Sequence, residues 1–206
     1  MIAIIDYGMG NLRSIAKAIE YVGGHVLVTD KVNDIKKADK IILPGIGAFR
    51  DGIAELKKNG LDLELKESII EKGKPFLGIC LGMQMLAKRS YEFGEFDGLG
   101  FIDAEVVHFN YDVLNGLKVP HVGWNDVIFN GSHILFRGIP DSCDFYFVHS
   151  YHLVPSNKML VAATCNYGVD FVAAIHKDNI FATQFHPEKS QKYGLKFLEN
   201  FINWQC

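Results

Sequence analysis

Up to Ser90 the chain alternates short apolar runs with stretches whose apolar positions recur at helical spacing. Ile2 to Ile5 is continuously apolar, the pattern of a strand buried on both faces. Leu12, Ile15, Ala16, Ile19 and Val22 then fall on one helical face, and Gly23-Gly24 ends that helix. His25 to Thr29 reads as a second strand, Val32 to Lys37 as a short helix, and Lys40 to Leu43 as a third strand ending at Pro44-Gly45-Ile46-Gly47. Helical spacing returns through Ile53 to Leu56 and through Leu65 to Ile70, with Gly73 as a stop. Pro75-Phe76-Leu77 begins a fourth strand, and Met83 to Lys88 is a further helix-like run. Strands alternating with helices predict a parallel sheet covered on both faces, with right-handed crossovers.

Beyond Ser90 the period changes. Short β-rich runs at Phe101–Val107, Val127–Phe129, Ile134–Phe136, Phe145–Val148, Leu160–Thr164, Phe171–Ile175 and Ile180–Gln184 are separated by turn residues. They read as mixed or antiparallel additions to the same sheet, or as a small companion sheet. Tyr193 to Trp204 closes the chain as a helix, with Leu195, Leu198 and Ile202 on one face. No repeat and no Pro/Gly/Ser-rich linker interrupts it, so one domain is expected over residues 1–206. The expected class is α/β, a doubly wound and mostly parallel sheet with additional antiparallel strands.

Composition narrows the function. With 206 residues, 49% hydrophobic and 22% charged, the chain is ordinary globular material. A formal net charge of −3 argues against a nucleic-acid binder that works by bulk electrostatics. No apolar run reaches membrane-spanning length, and Met1 leads straight into a strand, so neither a membrane span nor a secretory signal is expected. Cys80, Cys143, Cys165 and Cys206 show no CxxC pairing and no zinc-site spacing. Free thiols in a reducing cytoplasm, with no metal and no cofactor, are the expectation.

The candidate chemistry centres on Gly78-Ile79-Cys80-Leu81-Gly82, which lies between the fourth strand and the next helix-like run. Gly-x-Cys-x-Gly in that place is the thiol form of a nucleophile elbow. The central residue of an elbow is held in strained backbone, and its glycines allow neighbouring chain to approach. A helix N-terminus under the sulfur favours the thiolate, the reactive form. A thiol nucleophile needs a base and a group to orient it. Thr183-Gln184-Phe185-His186-Pro187-Glu188 delivers His186 from an apolar strand into a loop, with Glu188 two residues on. On an extended segment that spacing puts both side chains on one side, and the proline restricts the backbone. Cys80, His186 and Glu188 then form a candidate triad. The Leu81 N–H follows the nucleophile, and Ile46-Gly47 ends a neighbouring strand, so these are candidate oxyanion donors. Gly8-Met9-Gly10 suggests a dinucleotide fingerprint, but Arg13 stands where its third glycine belongs. His149 and His121 are read as bridging or capping groups, not as the base.

Gly-Ile-Cys-Leu-Gly-Met-Gln with a later His-Pro-Glu resembles the class I (triad) glutamine amidotransferases. Further matching stretches are Ile5 to Ser14, Pro44 to Phe49, Gly98-Leu99-Gly100, Val119 to Asn125, Tyr146 to Tyr151 and Ala182 to Ser190. They run from end to end. The N-terminal, Gly-Trp-Asn and His-Ser-Tyr stretches are similar to one branch, the glutaminase subunits of imidazole glycerol phosphate synthases in histidine biosynthesis.

The resemblance implies a flavodoxin-like fold with added strands. It implies that Cys80 attacks the side-chain amide of glutamine, giving a γ-glutamyl thioester and ammonia. It implies further that Gln84, Glu92, Ser150 and Tyr151 contact the bound glutamine. This chain reads Ser90-Tyr91-Glu92-Phe93-Gly94 where the family more often has a run of acidic residues. The partner implied is a separate (β/α)₈-barrel cyclase, in a heterodimer, faced by Asn11, Arg13, Trp124 and Lys189. Three other readings compete. A paralogous glutaminase could supply ammonia for amination of a surface-polysaccharide sugar. A cysteine peptidase could use the same fold, although Gln84 and Gly-Trp-Asn argue against it. A catalytically silent docking subunit is disfavoured by the intact Cys80, His186 and Glu188.

Overall fold

A computed structural model describes residues 1–110, 114 and 116–205. The first half builds the expected alternation. Strand β1 is Ile2–Ile5, helix α1 Leu12–Tyr21, β2 Val26–Thr29, α2 Val32–Lys37 and β3 Lys40–Leu43. Helix α3 spans Phe49–Lys58 and α4 Leu61–Leu65, which runs on as a π-helical turn over Lys66–Glu71. Then come β4, Phe76–Ile79, and α5, Leu81–Gln84. The second half supplies β5 (Ala87–Ser90), β6 (Phe96–Asp97), β7 (Ile102–His108), β8 (His121–Phe129), β9 (Cys143–His149) and β10 (Tyr151–Pro155). It ends with β11 (Val161–Tyr167), β12 (Val169–Lys177), β13 (Ile180–Thr183) and α6 (Gln191–Asn203).

Nine of these strands form one sheet in the order β2-β1-β3-β4-β13-β12-β11-β8-β9. The first five are parallel and the other four antiparallel. A second sheet, β10-β7-β5-β6, is mixed. Both outcomes expected for the second half therefore occur: strands extend the main sheet and a companion sheet forms. The continuous apolar run of β1 is explained by its surroundings. Ile2 and Ile4 belong to one hydrophobic core with α1 and α6, while Ala3 and Ile5 belong to a second core with α3 and the smaller sheet. A strand covered on both faces has no polar side to show.

Three local expectations need correction. The helix-like run Met83–Lys88 is helical only to Gln84. The carbonyls of Met85, Leu86 and Ala87 accept from Leu99, Ile102 and Gly100, so they cannot continue a helix, and Ala87–Ser90 becomes strand β5 beside β7. Apolar spacing alone fits either state; pairing with a distant strand decides. Ile134–Phe136 is a 3₁₀ turn, not a strand; its apolar residues serve burial, with Phe136 stacked on Phe129 at 3.9 Å. Several second-half strands are longer than their apolar runs, most clearly β8, where the register with β9 carries polar residues such as Asn125 and Asp126.

Among the described residues, Cys80, Cys143 and Cys165 are free thiols, and Cys206 lies outside them. No described helix is long and apolar enough to cross a membrane.

Candidate active site

Ligand sites in open α/β sheets lie beyond the carboxyl ends of the strands. Here β3, β4 and β13 are parallel neighbours, and each ends in one of the singled-out segments. Strand β4 runs directly into Cys80. Its backbone has φ 54° and ψ −108°, a strained conformation for a residue with a side chain. The glycines on either side make that turn possible. A β-carbon on Gly82 would overlap the Leu43 carbonyl of β3, and one on Gly78 would crowd the Gly82 carbonyl. The Cys80 N–H donates to the Thr183 carbonyl of β13 at 2.7 Å, which ties the elbow to the strand that delivers the histidine.

His186 follows three residues after β13 ends. Its ring Nδ1 lies 2.8 Å from Glu188 Oε1, and both side chains are almost fully buried. Glu188 only accepts, so Nδ1 carries the proton and donates. Nε2 is left without a hydrogen-bond partner among the described residues, as is Glu188 Oε2. Burial acts to lower the His186 pKa. The negative charge of Cys80, and then the Glu188 carboxylate, more than offset it and raise the pKa to about 10. His186 is therefore held as an imidazolium beside an anionic sulfur. One expectation is corrected in detail: His186 to Glu188 is not extended, because Pro187–Lys189 forms a 3₁₀ turn. That turn still brings the two side chains together.

The turn is held by residues the sequence reading did not single out. The His186 N–H donates to the Tyr146 carbonyl at 2.9 Å. Ser190 Oγ donates to the His186 carbonyl at 2.6 Å and accepts from the Tyr146 N–H at 3.0 Å. Gly194 of α6 sits so close to the Pro187 carbonyl that any β-carbon there would overlap it. The Ala182–Ser190 stretch contains Ser190 and the Tyr146–Tyr151 stretch opens on Tyr146, without their part in this turn being readable; nothing local marks Gly194, whose contact with Pro187 forms only in the fold.

In front of Cys80 lies a cavity of about 480 Å³. It brings together nine of the predicted positions: Cys80, Leu81, Ile46, Gly47, Gln84, Glu92, Ser150, Tyr151 and Lys189. A larger cleft of about 760 Å³ at Phe129–Asp141 contains none of them. Gln84 Nε2 donates to the Tyr151 carbonyl at 2.9 Å and to Gln184 Oε1 at 3.0 Å. Glu92 Oε2 accepts from the Phe49 N–H at the start of α3, and burial raises its pKa. Tyr7 donates its hydroxyl to the Pro44 carbonyl at 2.9 Å and so pins the segment leading to Ile46-Gly47. Gly47 has φ +99°, a conformation that favours glycine.

His149 also lines the cavity, and its hydrogen bonds show why it is not the base. Its Nδ1 must donate to the Tyr151 carbonyl, 2.9 Å away, so its Nε2 accepts from His121 Nδ1 at 3.1 Å. His121 Nε2 in turn accepts from Asn125 at 3.4 Å. Burial pushes His149 down to about 3 and His121 down to about 4, so the pair stays neutral.

A class-I glutamine amidotransferase family model matches residues 3–204. The chain belongs to that family. The amidotransferase is 50% identical over 202 residues to imidazole glycerol phosphate synthase subunit HisH 1 of Campylobacter jejuni strain RM1221, covering 98% of this chain and 99% of that one. It is 50% identical over 204 residues to the HisH subunit of Acinetobacter baylyi, covering 98% of both. It is thus a HisH-family amidotransferase, and an enzyme. Its fold is similar to the structure of PurLQS from Thermotoga maritima, with a TM-score of 0.75 at 20% identity over 98% of this chain and 97% of that one. The expected class I amidotransferase fold is therefore present.

Five predicted residues of the amidotransferase lie outside the cavity lining: His186 and Glu188, behind Cys80, and three that the resemblance places toward a partner. Asn11 caps α1 by accepting from the Ser14 N–H, and Arg13 is exposed on that helix. Trp124 is 45% exposed and meets Tyr146 edge-on at 6.0 Å. The Lys189 ammonium lies 5.4 Å over the same Tyr146 ring, and that ring is 6.5 Å from the ring of His186. Tyr146 thus connects the exposed Trp124 and the half-buried Lys189 to the candidate base.

Proposed function

We propose that the enzyme is the glutaminase subunit of an imidazole glycerol phosphate synthase in histidine biosynthesis, a single glutaminase domain acting in the cytoplasm. The observation that carries the reading is the buried His186–Glu188 pair, set beside the strained Cys80 at the ends of two adjacent parallel strands.

Glutamine binds in the cavity before Cys80. Glu92 attracts its ammonium group, while Gln84, Ser150 and Tyr151 hold its backbone end. The Cys80 thiolate attacks the side-chain amide carbon, and the developing oxyanion accepts from the Leu81 N–H and from a peptide N–H of Ile46-Gly47. His186 gives its Nε2 proton to the departing nitrogen, and ammonia leaves behind a γ-glutamyl thioester. His186 then takes a proton from water, which attacks the thioester. Glutamate departs and the thiolate–imidazolium pair is restored. Glu188 keeps Nδ1 protonated and the ring oriented in both halves. His186 starts charged, so the leaving group finds its proton already in place.

Ammonia passes to a separate (β/α)₈-barrel cyclase that forms imidazole glycerol phosphate with release of an aminoimidazole carboxamide ribonucleotide. A barrel carries its own active site at the C-terminal face of its strands, so the glutaminase docks on the opposite face. Asn11, Arg13, Trp124 and Lys189 form the docking side. The Trp124–Tyr146–Lys189 contacts, which reach the ring of His186, support a coupling between interface and triad.

The test is glutamate release by this chain with its barrel partner, with and without the formimino-aminoimidazole carboxamide ribonucleotide. The isolated chain is expected to be nearly inactive, and the nucleotide-bound complex to turn over glutamine fastest, as the Gly45–Gly47 peptides rotate to complete the oxyanion hole. Strong activity of the isolated chain contradicts the coupling. Turnover indifferent to the nucleotide points to another ammonia acceptor, such as a sugar.

A further inference from the structure

The mechanism leaves one buried polar side chain beside the nucleophile unused. Gln184 is fully buried, one residue beyond the end of β13. Its Nε2 lies 3.6 Å from Cys80 Sγ. Its Oε1 accepts from Gln84 Nε2 at 3.0 Å, which fixes the orientation of the amide: the oxygen faces Gln84, so the N–H groups face the sulfur. Gln84 Nε2 also donates to the Tyr151 carbonyl at 2.9 Å. An unbroken series of hydrogen bonds therefore runs from the wall of the glutamine cavity, through two buried amides, to the attacking atom.

The surroundings of the sulfur give this contact a direction. The Val148 carbonyl, 3.9 Å from Sγ, can accept from a thiol S–H but offers nothing to a thiolate. The Gln184 N–H does the reverse, because it donates and so favours the anion. Donor bonds to charged groups are among the stronger ones, and more so away from water.

We propose that Gln184 is a positioning residue of the glutaminase: its amide donates to the Cys80 thiolate and ties the nucleophile, through Gln84, to the Tyr151 wall of the glutamine cavity. The proposal rests on the reading of Cys80 as the nucleophile. It adds a group that holds the sulfur in its anionic form, apart from the imidazolium of His186. It also links filling of the glutamine cavity to the sulfur, since a shift of the Tyr151 carbonyl moves Gln84 and then Gln184.

The test uses Gln184→Met, which keeps the volume and removes both amide functions, and Gln184→Asn, which keeps the amide but falls one methylene short of the sulfur. The first readout is the pH dependence of Cys80 alkylation by iodoacetamide, followed by mass spectrometry of the Cys80 peptide in the full chain. Thermal melting is recorded alongside. Both variants are expected to move the alkylation midpoint upward by about one pH unit. The second readout is glutaminase activity with the barrel partner, where kcat is expected to fall about tenfold and KM to change little. A packing role alone would lower the melting temperature without moving the alkylation midpoint. Unmoved midpoints in folded variants overturn the proposal. If one variant does not fold, the other decides. If the parent chain with its partner releases no glutamate, the glutaminase reading falls, while the alkylation profile still decides whether Gln184 holds the thiolate.

Discussion

Cys80→Ala is expected to lower glutamine-dependent turnover by about 10⁴-fold or more, since loss of a covalent nucleophile removes the reaction path and not only a contribution to it. The fold should survive. Alanine is smaller than cysteine, and the turn is held by close approaches of Gly78 and Gly82 and by the Cys80 N–H bond to Thr183, none of which uses the sulfur. Melting should therefore stay near that of the parent. The complex with the barrel partner should still make product when ammonia is supplied directly, because the acceptor site is on the other subunit. Retained glutamine use in Cys80→Ala would sink the triad assignment. Loss of ammonia-dependent synthesis as well would mean the variant had damaged docking, not chemistry.

The second large effect concerns the buried carboxylate. Glu188→Gln keeps shape but replaces an acceptor with a group that can present N–H to His186 Nδ1. The neutral ring then prefers the tautomer with the proton on Nε2, which leaves no lone pair facing the site to take a proton from the thiol or from water. For a buried carboxylate–histidine pair this loss is about 10⁴-fold in kcat. There is also a pH signature. The Glu188 carboxylate helps to raise His186, so removing its charge lowers that pKa. The imidazolium then loses its proton at lower pH, and the alkaline limb of kcat/KM should move downward. A wild-type pH profile with only a small loss of rate would show that Glu188 does not orient the base.

How much of this was legible in the sequence depended on the distance between partners. The elbow was readable because strand, glycines, cysteine and helix start are consecutive, and so was the pairing of His186 with Glu188. The parallel half of the sheet followed from continuous apolar runs such as Ile2–Ile5. Helix α5 was overestimated because the carbonyls of Met85 to Ala87 are taken by residues 99–102, a pairing invisible to local spacing. The extended form assumed for His186–Glu188 gave way to a 3₁₀ turn, with Ser190 bonded to the His186 carbonyl and Gly194 packed against Pro187. His149 was set aside as the base in the sequence reading. The reason becomes physical only when its two ring nitrogens are seen to be committed, one to a carbonyl and one to His121. Gln184 lay inside a recognised stretch, yet its contact with the sulfur depends on how β13 ends beside β4.

The central claim is that Cys80 carries the glutamyl group during turnover. The most direct measurement is mass spectrometry of the chain, quenched in acid while its complex with the barrel partner and nucleotide consumes glutamine. A γ-glutamyl adduct on the peptide containing Cys80, absent in Cys80→Ala and accumulating if water attack is slowed, is the result predicted. Glutamate release with no adduct on that peptide, or with the adduct on another residue, would contradict it.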